Sequence, residues 1–226
     1  MTSTNPADQS ALRAACKSLA DCGAATVVDA CADATMLDAD WIVLLPQRTV
    51  AGPVLTVDCV AGDNLSIHAA IAELAPGEIL VVAGGADSTI ALLGDMIGTQ
   101  LKARGAAGVL VDGPVRDIEA LRALDLPVWA RRIRPAGPVK KTFGAVGGDI
   151  LVAGVYVRRG DWMVMDADGA VVLPATAVPG ALESARKRQD GETEKRKRYA
   201  AGEISVDVLN LKALLAAQGH LPGKPG

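Results

Sequence analysis

Aromatic side chains are scarce in this sequence, with one Phe, two Tyr and three Trp among 226 residues. Stacked rings therefore cannot supply the core, which must come from small and branched aliphatics, in keeping with 24 glycines and a composition that is half hydrophobic. The four cysteines, Cys16, Cys22, Cys31 and Cys59, have no C-x-x-C spacing and only two histidines accompany them. That excludes a structural zinc site and a disulfide framework and predicts reduced thiols. A net charge of −3 offers no bulk attraction to nucleic acid or to an anionic membrane. No apolar run reaches membrane-spanning length without a charge, Gly or Pro, and the amino end has no basic stretch leading into an apolar one. The expectation is a soluble cytoplasmic protein with no membrane partner.

What the sequence does have is a positive mean hydropathy, enough for a sizeable core, and an alternation of strand-like and helix-like segments. Apolar positions Leu12, Ala15 and Leu19 predict a helix over about 7–22, with Pro6 and Asp8 as start signals. "WIVLLP" (41–46) and "GPVLTVDCV" (52–60) predict strands, "NLSIHAAIAEL" a helix and "GEILVVAGG" (77–85) a strand. The pattern repeats with "GDMIGTQLKARGAAG" as helix, "GVLV" as buried strand, "DIEALRAL" as helix and "LPVWARR" as strand, so parallel βαβ units are expected. After residue 137 the character shifts toward β, with "ILVAGVYV" (150–157) and then "GDWMVMDADGAVVLPA" (160–175), two strands joined by a tight Asp-Gly hairpin. From Val178 to about 218 a charge-dense helical segment follows. The seven Lys or Arg between Arg186 and Arg198 are interleaved with acids, which reads as a solvated helix face and not as an RNA contact. The fold class expected is α/β, a layered α/β/α arrangement around a central sheet or barrel-like β layer, one domain with helical ends.

Candidate chemistry lies where parallel strands end, the usual ligand position in open α/β sheets. Asp112 and Gly113 are expected to turn the chain there and to present Arg116 and Asp117. Asp117 also stands where an N-cap for the following helix would, a role worth about 1 kcal/mol. Asp95 in "LLGDMIG" opens a second helix after Gly94, and the amides of Met96 and Ile97 at that start form a cradle for a carboxylate. Two carboxylates, an arginine and amide donors suit a hard divalent cation that keeps most of its waters, beside a 2-oxo acid held by Arg116. Such a metal acts as a Lewis acid in retro-aldol cleavage or β-decarboxylation. A Schiff-base lysine is the competing device, with Lys140 or Lys141 as candidate. A methyltransferase would need a nucleotide-binding glycine loop, and "VVAGGADS" lacks the G-x-G-x-x-G spacing.

With Gly94-Asp95, Arg116 standing 21 residues after Asp95, and "GVLVDGPVRD", the chain resembles the RraA-like superfamily. Within it, the match is to the 4-hydroxy-4-methyl-2-oxoglutarate / 4-carboxy-4-hydroxy-2-oxoadipate aldolases. "TVVDA", "GDNLSIHAAI", "PGEILVVAGG" and "GDWMVMDADGAVVLPA" extend the likeness over nearly the whole chain. The resemblance implies that Asp117 binds Mg²⁺ or Mn²⁺ and that Asp95 acts through metal-bound water. It implies that Arg116 contacts the substrate, that Gly94, Asp95, Met96 and Ile97 hold its pyruvate end, and that Lys140 stands on the substrate side. It further implies a homotrimer or homohexamer whose neighbouring subunit supplies an acid, Glu192 or else Glu194. The implied reaction yields pyruvate plus oxaloacetate or pyruvate, with oxaloacetate decarboxylation as a side activity. The alternative within the superfamily is a non-catalytic regulator of an RNA-degrading endonuclease.

Overall fold

The computed structural model describes residues 6–220, with side chains from residue 9 onward. The first helix, α1 (Pro6–Ala30), outruns the expected 7–22 and is broken at Gly23, whose φ of 79° and ψ of 163° are not helical. Asp166 Oδ2 accepts the Ala24 N–H at 2.8 Å and so starts the second helical piece. The side chain of Asp8, expected as a start signal, lies outside the described residues.

The chain continues through β1 (Thr35–Met36), β2 (Ile42–Val43), β3 (Val50–Asp58), α2 (Leu65–Glu73), β4 (Ile79–Ala83), α3 (Asp95–Ala103), β5 (Gly108–Val115), α4 (Ile118–Ala123) and β6 (Val128–Ile133). It then forms β7 (Ala145–Val146), β8 (Ile150–Val152), β9 (Val155–Val157), β10 (Trp162–Asp166), β11 (Gly169–Leu173), α5 (Val178–Ala200), α6 (Ser205–Val208) and α7 (Lys212–Ala217). The main sheet has the order β1-β11-β10-β3-β4-β5-β6-β2, with β7 also pairing with β3. Its centre, β3 to β6, is parallel, and α2, α3 and α4 are the crossovers that parallel neighbours require. The mixed α/β class with a central sheet and helices at both ends is the expected one.

Burial on both faces explains why β4 reads as an unbroken apolar run. Leu80 and Val82 join Val109, Val111 and Leu101 in one buried cluster, while Ile79 and Val81 join Leu110 and Trp129 in another. The period of two thus sorts one strand between two cores, and each fully buried aliphatic contributes about 1.5–3 kcal/mol. A third cluster joins Leu19 and Val27 of α1 to Val164, Val171 and Ala181.

Two local expectations need correction, and a third segment is resolved in detail. "WIVLLP" yields a strand of only two residues. Leu44 and Leu45 are buried in the chain beyond it, because an apolar run marks burial without specifying extension. Asp112 and Gly113 do not form a turn and lie inside β5, whose pairing with β6 shifts register between Val111 and Pro114. The Asp112 carboxylate, 4% exposed, accepts Arg131 Nε at 2.6 Å and the Ala153 N–H at 3.0 Å, so a charged residue is accommodated in mid-strand. "ILVAGVYV" is two strands, β8 and β9, paired as a hairpin around Ala153 and Gly154, which have φ of 49° and 79°. The Asp-Gly hairpin of β10 and β11 forms as expected, with Asp166 opposite Gly169.

The chain divides into two compact units, Met1–Ala185 and Arg186–Gly226. The second holds most of α5 together with α6 and α7. Several of its charges are paired within it: Arg188 Nε lies 2.9 Å from Glu192, Lys197 Nζ 3.2 Å from Glu194, and Arg198 grips Glu203. Among the described residues no helix is long and apolar enough to cross a membrane.

Candidate functional site

The segment 91–94 runs beside the end of β5. Leu92 N–H donates to Pro114 O at 2.9 Å and Arg116 N–H to Leu93 O at 3.0 Å. This seam brings the starts of α3 and α4 side by side. Their packing depends on Gly98, where a Cβ would stand 2.5 Å from Leu121 Cδ2 and 3.2 Å from Leu124 Cδ1. Close approach of the two helices is the reason Asp95 and Asp117, 22 residues apart, become neighbours.

Asp117 occupies the N-cap position of α4 but has left-handed backbone angles, φ 57° and ψ 44°, and its side chain makes no capping bond. Aspartate tolerates this conformation better than most residues. The capping role open to Asp117 is thus not realised within its own helix. Its Oδ2 instead accepts the Asp95 N–H at 3.4 Å and lies 3.2 Å from Arg116 Nε. Both members of that ion pair are about 40% exposed, so their mutual attraction is screened and contributes little to stability. They remain accessible to a ligand.

At the start of α3, Gly98 is the first residue whose N–H closes onto Gly94 O, at 2.9 Å, so the amides of 95, 96 and 97 precede the helical ladder. The Met96 amide is not the free donor that the cradle calls for, because Asp95 Oδ1 accepts it at 2.7 Å. With the Asp95 amide turned to Asp117, the Ile97 N–H is the one of the three with no side-chain acceptor among the described residues.

A pocket of about 290 Å³ opens here. It gathers Gly94, Asp95, Met96, Ile97, Arg116 and Lys140, which the sequence singled out, and adds Asn64, His68, Gly137 and Pro138, which it did not. Arg116 is confined between two glycines. A Cβ at Gly137 would overlap Arg116 Nη1, and one at Gly94 would overlap Asp117 Oδ2 and stand 3.0 Å from Arg116 Cγ. Lys140 reaches the pocket on a loop stapled to the start of α2. Buried Asp63 accepts the N–H groups of Leu65, Lys141 and Thr142 at 3.0, 2.8 and 2.7 Å, and Ser66 Oγ accepts that of Gly144 at 2.8 Å. Burial pushes the Asp63 carboxyl up, but these three donors and the Lys140 charge outweigh it and hold it below the usual carboxylate range. Lys141 does not line the pocket.

Asn64 and His68 sit just past the carboxyl end of β3, the position already invoked for β5. Applying that same strand-end rule to "VDCVAGDNLSIH" would have found them. Glu192 and Glu194 belong to the second unit, where they pair with Arg188 and Lys197. Among the described residues no cluster of three or more His, Cys, Asp or Glu is placed to hold a metal ion. Asp95 and Asp117 form a two-carboxylate set. Cys59, by contrast, is an inert thiol, pushed up to about 12 by burial and by neighbouring Asp58.

The chain is similar in sequence and fold to known proteins. A protein of Halalkalibacterium halodurans provisionally named 4-hydroxy-4-methyl-2-oxoglutarate aldolase is 37% identical over 171 residues, covering 76% of this chain and 79% of its own. Among solved structures, the RNA-processing inhibitor RraA from Thermus thermophilis is 32% identical with a TM-score of 0.59, covering 63% of this chain and 86% of that one. A protein of Geobacillus kaustophilus described as S-adenosylmethionine:2-dimethylmenaquinone methyltransferase is also 32% identical, with a TM-score of 0.60, covering 63% and 88%. The RraA-like family model, described as Aldolase/RraA, matches residues 24–172, a span that holds the strand-end seam, both helix starts and the pocket, and the chain belongs to that family.

Proposed function

We propose that this protein is a divalent-metal-dependent aldolase that cleaves 4-carboxy-4-hydroxy-2-oxoadipate or 4-hydroxy-4-methyl-2-oxoglutarate. The products are pyruvate and either oxaloacetate or a second pyruvate, and oxaloacetate decarboxylation is a side activity. The observation that carries this reading is the Asp117 carboxylate, turned away from its own helix toward the start of α3, beside Asp95 and the Arg116 guanidinium.

The donor set fits Mg²⁺ or Mn²⁺. Both are hard cations that take one or two carboxylates and keep several waters, so a site of two aspartates is sufficient and a cage of three or more is not needed. Asp117 would hold the ion, with Asp95 beside it, and the bound ion would supply Lewis-acid polarisation of the substrate's 2-oxo group. The protein's own part is orientation. Arg116 offers a planar fork that matches a carboxylate, and the walls of Gly94 and Gly137 restrict where that fork can point. The Ile97 amide at the helix start favours the negative end of the 2-oxo acid. Lys140 adds a positive charge to the pocket lining, where it would meet the second carboxylate of a dicarboxylic substrate. Glu192 is the acid proposed to come from a neighbouring subunit of a trimer or hexamer.

The test is pyruvate release from the two hydroxy-oxo acids and from oxaloacetate, with Mg²⁺ or Mn²⁺ and with a chelator. Release that needs the metal supports the reading. Metal-independent release, or trapping of a Lys140 imine by borohydride, would replace it with the Schiff-base mechanism. The likeness to the Thermus inhibitor favours a second reading, a protein regulator of an RNA-degrading endonuclease. Inhibition of such a nuclease without pyruvate release in any condition would select it.

A further inference from the structure

Two residues that line the pocket, Asn64 and His68, each carry a buried polar atom with no hydrogen-bond partner among the described residues, Asn64 Oδ1 and His68 Nε2. Buried polar atoms in folded proteins are nearly always paired, so each such orphan calls for an explanation. Asn64 is 3% exposed, and the orientation of its amide is fixed. Nδ2 donates to Leu92 O at 3.0 Å, and a flipped amide would set oxygen against oxygen. The atom left without a partner is therefore an acceptor. His68 follows four residues later, one helical turn along the same face, and both residues line the same pocket as Arg116 and Lys140.

We propose that Asn64 Oδ1 and His68 Nε2 together form the receptor for a ligand hydroxyl, which makes the pocket selective for 2-oxo acids that carry a hydroxyl on the carbon to be released. This rests on the pocket being the 2-oxo-acid site proposed above. The argument is one of donors and acceptors. The missing partner must donate to Asn64, and an ionised carboxylate has nothing to donate. Carboxylates go to Arg116 and Lys140. A hydroxyl both donates and accepts, so it can give its one hydrogen to Oδ1 and accept one from Nε2 of a neutral imidazole that carries its proton there. Burial pushes His68 down from its ordinary value, and the Lys140 charge adds to this, in keeping with a neutral ring. A site built to bind a hydroxyl discriminates against the analogue lacking it, because its own polar atoms then stay unpaired.

The test is calorimetric binding to the full chain, with metal removed by chelator so that turnover does not intervene. The two probes are 4-hydroxy-4-methyl-2-oxoglutarate and 4-methyl-2-oxoglutarate, identical except for the hydroxyl. The unaltered protein is expected to bind the hydroxylated probe on the order of tenfold tighter, and Asn64→Leu and His68→Phe, each checked for native circular dichroism, are expected to bind the two alike. Equal affinities in the unaltered protein, or no binding of either probe, overturn the proposal whether or not the variants fold. So does a preference that survives both substitutions, which would mean that an ordered water and not the ligand satisfies these atoms. Preference without pyruvate release under any metal condition would leave the hydroxyl receptor standing and remove the aldolase reading.

Discussion

The Asp117 carboxylate accepts the backbone N–H of Asp95 at 3.4 Å while making no bond to the helix it precedes. A residue placed as a cap at one helix thus reaches the start of another. That geometry separates its local role from its role in the site, and substitutions can tell the two apart.

Asp117→Asn is expected to remove divalent-ion binding and pyruvate release together. The thermal midpoint should stay within a few degrees of the unaltered value, since no capping bond is lost and the pair with Arg116 is exposed. Isothermal titration with Mn²⁺ and a thermal melt are the measurements. A large fall in the midpoint with metal affinity intact would restore the capping role.

Gly94→Ala should act on the site through space alone. The added methyl would overlap Asp117 Oδ2 and press on Arg116 Cγ at 3.0 Å and Nε at 3.1 Å, so the pair must separate. We expect kcat/KM for pyruvate release to fall by roughly 100-fold, the size of loss that a displacement of about 1 Å produces. An unchanged rate would show that the Arg116–Asp117 pair is not held against Gly94 during turnover.

Asp63→Asn should loosen the loop that carries Lys140. The charged Asp63 is favoured in the fold and its proton affinity is lowered there. Its contribution to stability is therefore complete above the ordinary Asp value of about 3.9 and is lost as pH falls through the lower folded value. Removing it should lower the thermal midpoint near neutral pH and flatten the decline on the acid side. Melts between pH 2 and 7 for both proteins check this, and parallel curves would count against it.

His68 should titrate below its ordinary value, because burial and the Lys140 charge both oppose the imidazolium. A lowered folded value means that this residue's contribution is complete above about 6.5 and is lost as pH falls through the folded midpoint. A proton NMR titration of the imidazole, with Lys140→Met for comparison, measures both parts. The midpoint should rise in that variant, and no movement would show that burial alone accounts for the shift.

Much of the fold was readable because its causes are local. The unbroken apolar run of β4, the helical spacing of "LSIHAAIAE" and the Asp-Gly between β10 and β11 each specify an element within a few residues. Arg116, Asp117 and Asp95 were readable because the ends of parallel strands are where ligands bind, and Lys140 through the family resemblance; the structure gathers Arg116, Asp95 and Lys140 at one pocket with Asp117 against it. Asp112-Gly113 misled for the opposite reason. A pair that favours turns stays extended when Arg131, far off in sequence, neutralises the aspartate.

The sequence by itself determined the alternation of strands and helices, the class of fold and which residue types stand at the strand ends, since these depend on periodicity and on short-range backbone preference. Only the tertiary structure decided which way each side chain is turned. Asp117 serves α3 and not its own helix because Gly98 lets two helices meet. Asn64 turns its amide nitrogen to Leu92 O across the seam, which leaves its Oδ1, like His68 Nε2, buried without a partner among the described residues. Contacts made across 20 to 80 residues set those orientations, and no local pattern records them.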